Sequence, residues 1–267
     1  MQDALPKKTL QGKTILVTRP AHQAAALMSL IKQAGAHALP FPTIEILPPQ
    51  NPQPAITQFQ QLRQFDILLF ISANAARIGM EMIQQQGTLP KTIQVAAVGK
   101  ATTRTLQQLG VAVDILPQSR FDSEGLLATP QLQAVSDKRI LIVRGEGGRE
   151  LLAETLRKRG AEVHYAEAYR RTIPNTDPTP VLQAWQAGQL DAAIVTSNQS
   201  LDNLIQMVGE AGHNALLQTP LVVISERTRE VALERGFQHP PQLATSPSDD
   251  AILDTLTTLF QPHNNTE

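Results

Sequence analysis

The chain of 267 residues contains no cysteine. That excludes a disulfide framework, a thiolate nucleophile and a thiolate metal site. Aromatic residues make up only 4%, with one tryptophan and two tyrosines, so any ring chemistry rests on few side chains. The formal net charge of −1 is too small for a nucleic-acid face, although it leaves room for a local basic patch. The longest apolar runs, such as Ile67 to Ile71, are far too short to span a bilayer. Residues 1–10, MQDALPKKTL, lack the apolar core of a signal peptide. A cytoplasmic protein, off the membrane and without nucleic acid, is the expectation. The histidines, at 22, 37, 164, 213, 239 and 263, show no ligand spacing, so no metal is expected. GxSxG, P-loop and HExxH patterns are also missing, and with them the usual machinery of hydrolysis and phosphoryl transfer.

What the chain does have is an internal repeat, the first thing to test in a chain of this length. Ile140 to Val143 is a short β-branched strand. A glycine-rich turn follows, then a helix over Glu150 to Arg159 with Leu151, Leu152, Thr155 and Leu156 on one face. Gly160 fits the helix stop. The N-terminal segment repeats this order. Arg19 and Arg144 each close a strand, and each is followed 16 residues later by Gly-Ala, at Gly35-Ala36 and Gly160-Ala161. Further strands come next, His37 to Phe41 and Glu162 to Ala166.

The remaining segments repeat as well. Phe65 to Ser72 matches Leu190 to Ser197, with an aspartate six residues before the serine in both. Val95 to Thr102 matches Leu221 to Thr228 and aligns the two threonines. Ser123 to Leu127 stands where Asp249 to Leu253 stands, and proline-rich loops follow Ile46 and Ile173. With four units A, B, C and D, the chain reads A, then B, C, D, A, then B, C, D. Residues 44–167 hold one complete set. The first A must therefore fold with the last B, C and D, so residues 1–42 and 172–267 form a discontinuous domain. Strands alternating with helices predict α/β, flavodoxin-like domains with parallel sheets covered by helices. The crossings, 43–47 and 167–173, run in opposite directions and are expected to pair as a two-stranded hinge.

Ligands of open α/β sheets bind beyond the carboxyl ends of the strands. Those ends carry Arg19, Ser72, Gly99, Lys100, Arg144, Gly145, Thr196, Ser197 and Ser225, with Thr102 and Thr228 one turn further on. Each leads into a helix whose free N–H groups favour an anion. A cleft between two such edges suits a large polyanion, particularly one with several carboxylates. The alternative for each hydroxyl is a plain helix N-cap. Tyr169 lies in the second crossing, where its ring either faces the interdomain space or packs in the hinge. Tyr165, at a strand end, is expected in the core.

The stretches ILVTRP (15–20), FDILLFISANA (65–75), VAAVGKATTRTLQQLG (95–110), ILIVRGEGGRELLAETLRKRGAEVHYAEAYRR (140–171) and DAAIVTSNQS (191–200) resemble the uroporphyrinogen-III synthase family. The resemblance covers essentially the whole chain. It implies a cofactor-free lyase that closes the linear tetrapyrrole hydroxymethylbilane into uroporphyrinogen III with inversion of ring D, through an azafulvene and a spiro intermediate. It makes Tyr169 the best candidate to assist hydroxide departure, since a phenol keeps its proton at neutral pH. It implies a monomer that receives its unstable substrate in a transient hand-over from hydroxymethylbilane synthase. The competing reading is a two-lobed binding protein or sensor for a polyanionic small molecule.

Overall fold

In this computed structural model, residues 10–148 and 150–261 are described. Strands β1 (Thr14–Val17), β2 (His37–Pro40) and β3 (Glu45–Leu47) are followed by β4 (Ile67–Phe70), β5 (Gln94–Ala97), β6 (Arg139–Gly145) and β7 (Glu162–Thr172). Then come β8 (Ala192–Val195), β9 (Leu221–Val223) and β10 (Gln242–Leu243). Two compact units result, one running up to Glu45 and resuming at Thr172, the other Ile46–Arg171. Residues 1–9 and 262–267 of the expected discontinuous domain, and His263 with them, lie outside the described residues.

The first unit holds a sheet in the order β10-β9-β8-β1-β2, each neighbouring pair parallel. The second holds β3-β7-β6-β4-β5, and an isolated parallel bridge from Ala96 to Ile115 extends it beyond β5. Matched by repeat, β7, β6, β4, β5 and Ile115 stand where β2, β1, β8, β9 and β10 stand. Both sheets thus follow the flavodoxin-like order, one of them with its units permuted along the chain. The crossing strands β3 and β7 are neighbours in the second sheet.

The repeat extends to single hydrogen bonds. Asp66 accepts from the Arg139 N–H at 2.9 Å and from Lys138 Nζ at 3.0 Å. Asp191 accepts from the Thr14 N–H and from Lys13 Nζ, both at 2.8 Å. Each aspartate ties the foot of its strand to the foot of the next. The helix stops match as well. Gly35 and Gly160 take φ of 93° and 89°, which a side chain disfavours. The N–H groups of Gly35-Ala36 bond Lys32 O and Ile31 O, and those of Gly160-Ala161 bond Arg157 O and Leu156 O.

Each sheet is buried on both faces, as a parallel sheet between helices must be. In the second unit, Leu68, Phe70, Val95, Leu141 and Val143 face one core, and Ile67, Leu69, Ala96, Ile140 and Ile142 the other. In the first unit, Ile15, Val17 and Ile194 face one core, and Leu16, Ala193 and Val195 the other.

Beyond β5 the chain pairs only at the Ile115 bridge, and the Asp114 carboxylate beside it accepts from the Val95 N–H at 2.8 Å. One expectation needs correction. The strand Glu162 to Ala166 and the crossing after it are one strand of 11 residues, β7. It carries a register shift: Arg144 pairs with Glu167, but Gly145 pairs with Tyr169. The extra residue, Ala168, is a bulge.

Candidate functional site

That bulge decides where Tyr169 goes. Strict alternation would place Tyr169 on the face of Val163 and Tyr165. With one residue inserted, it shares the opposite core with Ala166 and Ala168. Tyr169 is therefore 1% exposed, so of the two placements expected for its ring the packed one is found. Tyr165, expected in the core, is half-buried, and its hydroxyl donates to Glu150.

The Tyr169 ring lies against Gly145, where a Cβ would come within 2.8 Å of ring atoms Cε2 and Cζ. Its carbonyl accepts from the Glu146 N–H at 2.7 Å. Its hydroxyl is 3.1 Å from Ser72 Oγ and accepts from Arg171 Nη2 at 3.3 Å. The Arg171 guanidinium also stacks over the ring, 5.8 Å from its centroid. Tyr169 and Arg171 share a strand face because they are two residues apart. Arg171 was absent from the sequence expectation, although the Tyr-Arg-Arg run stood in it; that spacing was the available signal.

The strand-end arginines are not open cations. Arg144 is 3% exposed. It donates to Glu150 at 2.9 Å, to the Gly145 carbonyl at 3.2 Å and to the Gly147 carbonyl, and it stacks on Tyr165 at 4.7 Å. Arg19 pairs with Asp249 and donates to Pro247 O at 3.3 Å. Expected as anion ligands, both spend their donors inside the protein. The Tyr165 hydroxyl and then Arg144 hold the Glu150 carboxyl below its ordinary range. Burial, followed by the bond to Glu150, pushes the Tyr165 phenol up.

The hydroxyls take the N-cap geometry. Ser72, Ser197 and Ser225 accept from the N–H of Ala75 at 3.0 Å, Ser200 at 3.1 Å and Thr228 at 3.2 Å. Thr228 is 1% exposed and its Oγ1 donates to Asn198 at 2.8 Å. Thr102 is buried one turn into the helix Lys100–Gln108, whose N-cap Gly99 has no side chain to cover the first amides. Lys100 Nζ lies 4.6 Å over the ring of Phe121, an exposed aromatic the sequence reading did not single out. Thr196 is half-buried just past the end of β8. The second unit thus brings Ser72, Gly99, Lys100, Thr102, Gly145 and Tyr169 to its sheet's carboxyl edge. The first brings Arg19, Thr196, Ser197, Ser225 and Thr228 to the same edge of its own sheet. Among the described residues, no helix is long and apolar enough to cross a membrane.

The comparisons agree with this frame. The family described as Uroporphyrinogen-III synthase HemD matches residues 25–253. The uroporphyrinogen-III synthase of Escherichia coli (strain K12) is 35% identical over 245 residues, covering 91% of this chain and 99% of that protein. That of Synechococcus elongatus is 31% identical over 207 residues, covering 76% of this chain and 78% of that protein. Among solved structures, a mutant uroporphyrinogen III synthase from the extremely thermophilic bacterium Thermus thermophilus aligns with a TM-score of 0.61 at 18% identity, over 92% of this chain and 98% of that one. The Helicobacter pylori synthetase aligns at 0.58, with the same identity, over 92% and 99%. At that identity the structures speak for the fold, and the sequence matches decide the rest: the chain belongs to the uroporphyrinogen-III synthase family.

Proposed function

We propose that the chain closes linear hydroxymethylbilane into uroporphyrinogen III, expelling water and inverting ring D. The family match over residues 25–253 carries this reading. The site fits it in kind. Closure without inversion needs no enzyme, so the protein's task is to hold the chain folded for the spiro path, a positioning effect. The two sheet edges offer helix-start amides, hydroxyls and Lys100 to a substrate rich in carboxylates. With Arg19 and Arg144 already paired, Thr228 donating to Asn198 and Thr102 buried, that load falls on Ser72, Gly99, Lys100, Thr196, Ser197 and Ser225. The donor that helps the hydroxyl leave is the pair Tyr169–Ser72, with Gly145 packed against the ring. The reading includes a cytoplasmic monomer that receives the bilane in a transient hand-over from the enzyme that makes it.

The test is incubation with freshly generated hydroxymethylbilane followed by isomer analysis of the product. Predominant type III is expected. A binding protein or sensor would leave the spontaneous type I product unchanged, and that result would overturn the reading. The two units are further proposed to be folding domains. A fragment of residues 44–167, holding one full set of repeat units, should then unfold cooperatively in urea. If it has no transition while a continuous 1–130 fragment does, the domain division is wrong.

A further inference from the structure

The hydroxyl of Tyr169 has a donor on one side whose role is fixed. Arg171 can only donate, so the phenol oxygen accepts from it. Ser72 Oγ already accepts from the Ala75 N–H at 3.0 Å. Between the two hydroxyls, 3.1 Å apart, one proton is shared and one is left over. If Ser72 donates, the spare proton belongs to a phenol that is 1% exposed. If Tyr169 donates, it belongs to Ser72, which is only half-buried. The second arrangement leaves no buried donor unspent. It also matches the chemistry, because a phenol is the stronger donor and an alcohol oxygen the better acceptor. Donation from the guanidinium polarises the phenol O–H further in the same direction.

We infer that Ser72 presents the proton to the departing hydroxyl, with Tyr169 behind it as the proton source and Arg171 as the residue that positions and polarises the phenol. The inference rests on the proposed cyclisation. In the step, the C–O bond of the hydroxymethyl group breaks and its electron pair leaves on oxygen. That oxygen takes the Ser72 proton and departs as water, and Ser72 takes the Tyr169 proton. The cationic azafulvene and the phenolate beside Arg171 balance. The proton lost when the ring closes restores the phenol. Two described charged groups of the neighbouring loop are engaged elsewhere. Arg144 is spent on Glu150 and the Gly147 carbonyl, and Glu146 accepts from the Gln50 N–H.

The test combines turnover with a spectrum. Ser72→Ala should lower kcat by about 10²-fold, the lower range for general acid catalysis, and Ser72→Thr should restore it, since both hydroxyl and cap remain. Tyr169→Phe should lower kcat less, and the double variant should be no worse than Ser72→Ala alone. Arg171→Met should lower kcat several-fold at unchanged KM. The opposite order, with Tyr169→Phe crippled and Ser72→Ala near normal in a folded protein, would make the phenol the direct donor and overturn the inference. A raised KM with normal kcat in Arg171→Met would overturn its positioning role. Since the chain has two tyrosines, Tyr165→Phe leaves Tyr169 as the sole source of the tyrosine doublet in ultraviolet resonance Raman spectra. The doublet should report a phenol that both donates and accepts, and an acceptor-only signature sinks the proposal. If the unaltered protein forms no type III isomer, the proposed function itself fails, a different outcome from any of these.

Discussion

Thr18, Thr43, Ser200 and Asn203 of the first unit and Val143, Ala168, Ala75 and Ile78 of the second occupy repeat-related places beside the strand that leaves each sheet. In the first unit these places form a buried polar network. Thr18 Oγ1 donates to Ile194 O at 2.7 Å, Ser200 Oγ lies 3.0 Å from Thr18 and 2.7 Å from Thr43, and Asn203 Nδ2 donates to Thr43 O at 2.7 Å. In the second unit, Val143, Ala168 and Ala75 are buried without a polar atom among their side chains, and Ile78 packs against the same core. One backbone plan thus supports two chemistries. Directional bonds fix the path of the chain as it leaves β2. The apolar exit instead admits a large ring, Tyr169, and leaves its hydroxyl to be dressed by Ser72 and Arg171.

The sharpest way to break this contrast is Gly145→Ala. The added methyl would sit 2.8 Å from two atoms of a ring with no free surface to retreat to. Overpacking of this kind costs about 1–3 kcal/mol, and here the upper half is expected, with type III formation falling because Tyr169 is displaced. Urea unfolding and the isomer assay on one preparation check both. A variant with parent-like stability and product would show that the apolar exit is pliant, and the packing contrast would fail.

Exchanging the chemistries tests the comparison from both sides. Thr18→Val removes bonds to the Ile194 carbonyl and Ser200 and should cost about 1–2 kcal/mol, a buried acceptor being left short. Val143→Thr puts a hydroxyl among apolar neighbours and should cost about 1–3 kcal/mol. Loss of stability in both is the expected result of urea titration. Were either exchange neutral, the corresponding exit would not depend on its polarity.

Much of this was legible in the chain. Period, glycine stops and the Asp-to-Ser spacing located both sheets and their permuted order, because each of those signals is local and occurs twice. The bulge at Ala168 was not legible, since nothing in AEAYRR marks where one residue slips out of register, and that slip puts Tyr169 in the core with Ala166 and Ala168 rather than on the face of Tyr165. The internal partners of the arginines were hidden for a related reason. Their places at the strand ends could be counted, but their partners Glu150 and Asp249 are set by turn geometry and by a helix far along the chain. The hydroxyls were rightly given two readings. They cap their helices, and capping leaves the serine proton available, which is why Ser72 serves structure and site together.

The two arginines give the last and smallest test, because their partners sit differently. Arg144 meets Glu150 within its own loop, and the Tyr165 hydroxyl shares that carboxylate; Arg19 reaches Asp249 across the unit. The folded Glu150 binds its proton less readily than a glutamate at its ordinary 4.5, first through Tyr165 and then through Arg144. As pH falls past that ordinary value, the unfolded chain takes up the proton first. The latch's contribution is therefore full above it and is lost as pH drops through the folded value. Glu150 is 47% exposed, so solvent screens the pair and the gain is modest. Glu150→Gln should be measurably less stable than the parent at about pH 7 and nearly equal to it at about pH 3. Urea midpoints at the two values decide it. A gap that stays constant with pH would mean that Glu150 holds the glycine-rich loop by shape and neutral hydrogen bonds, leaving its charge without a part in the latch.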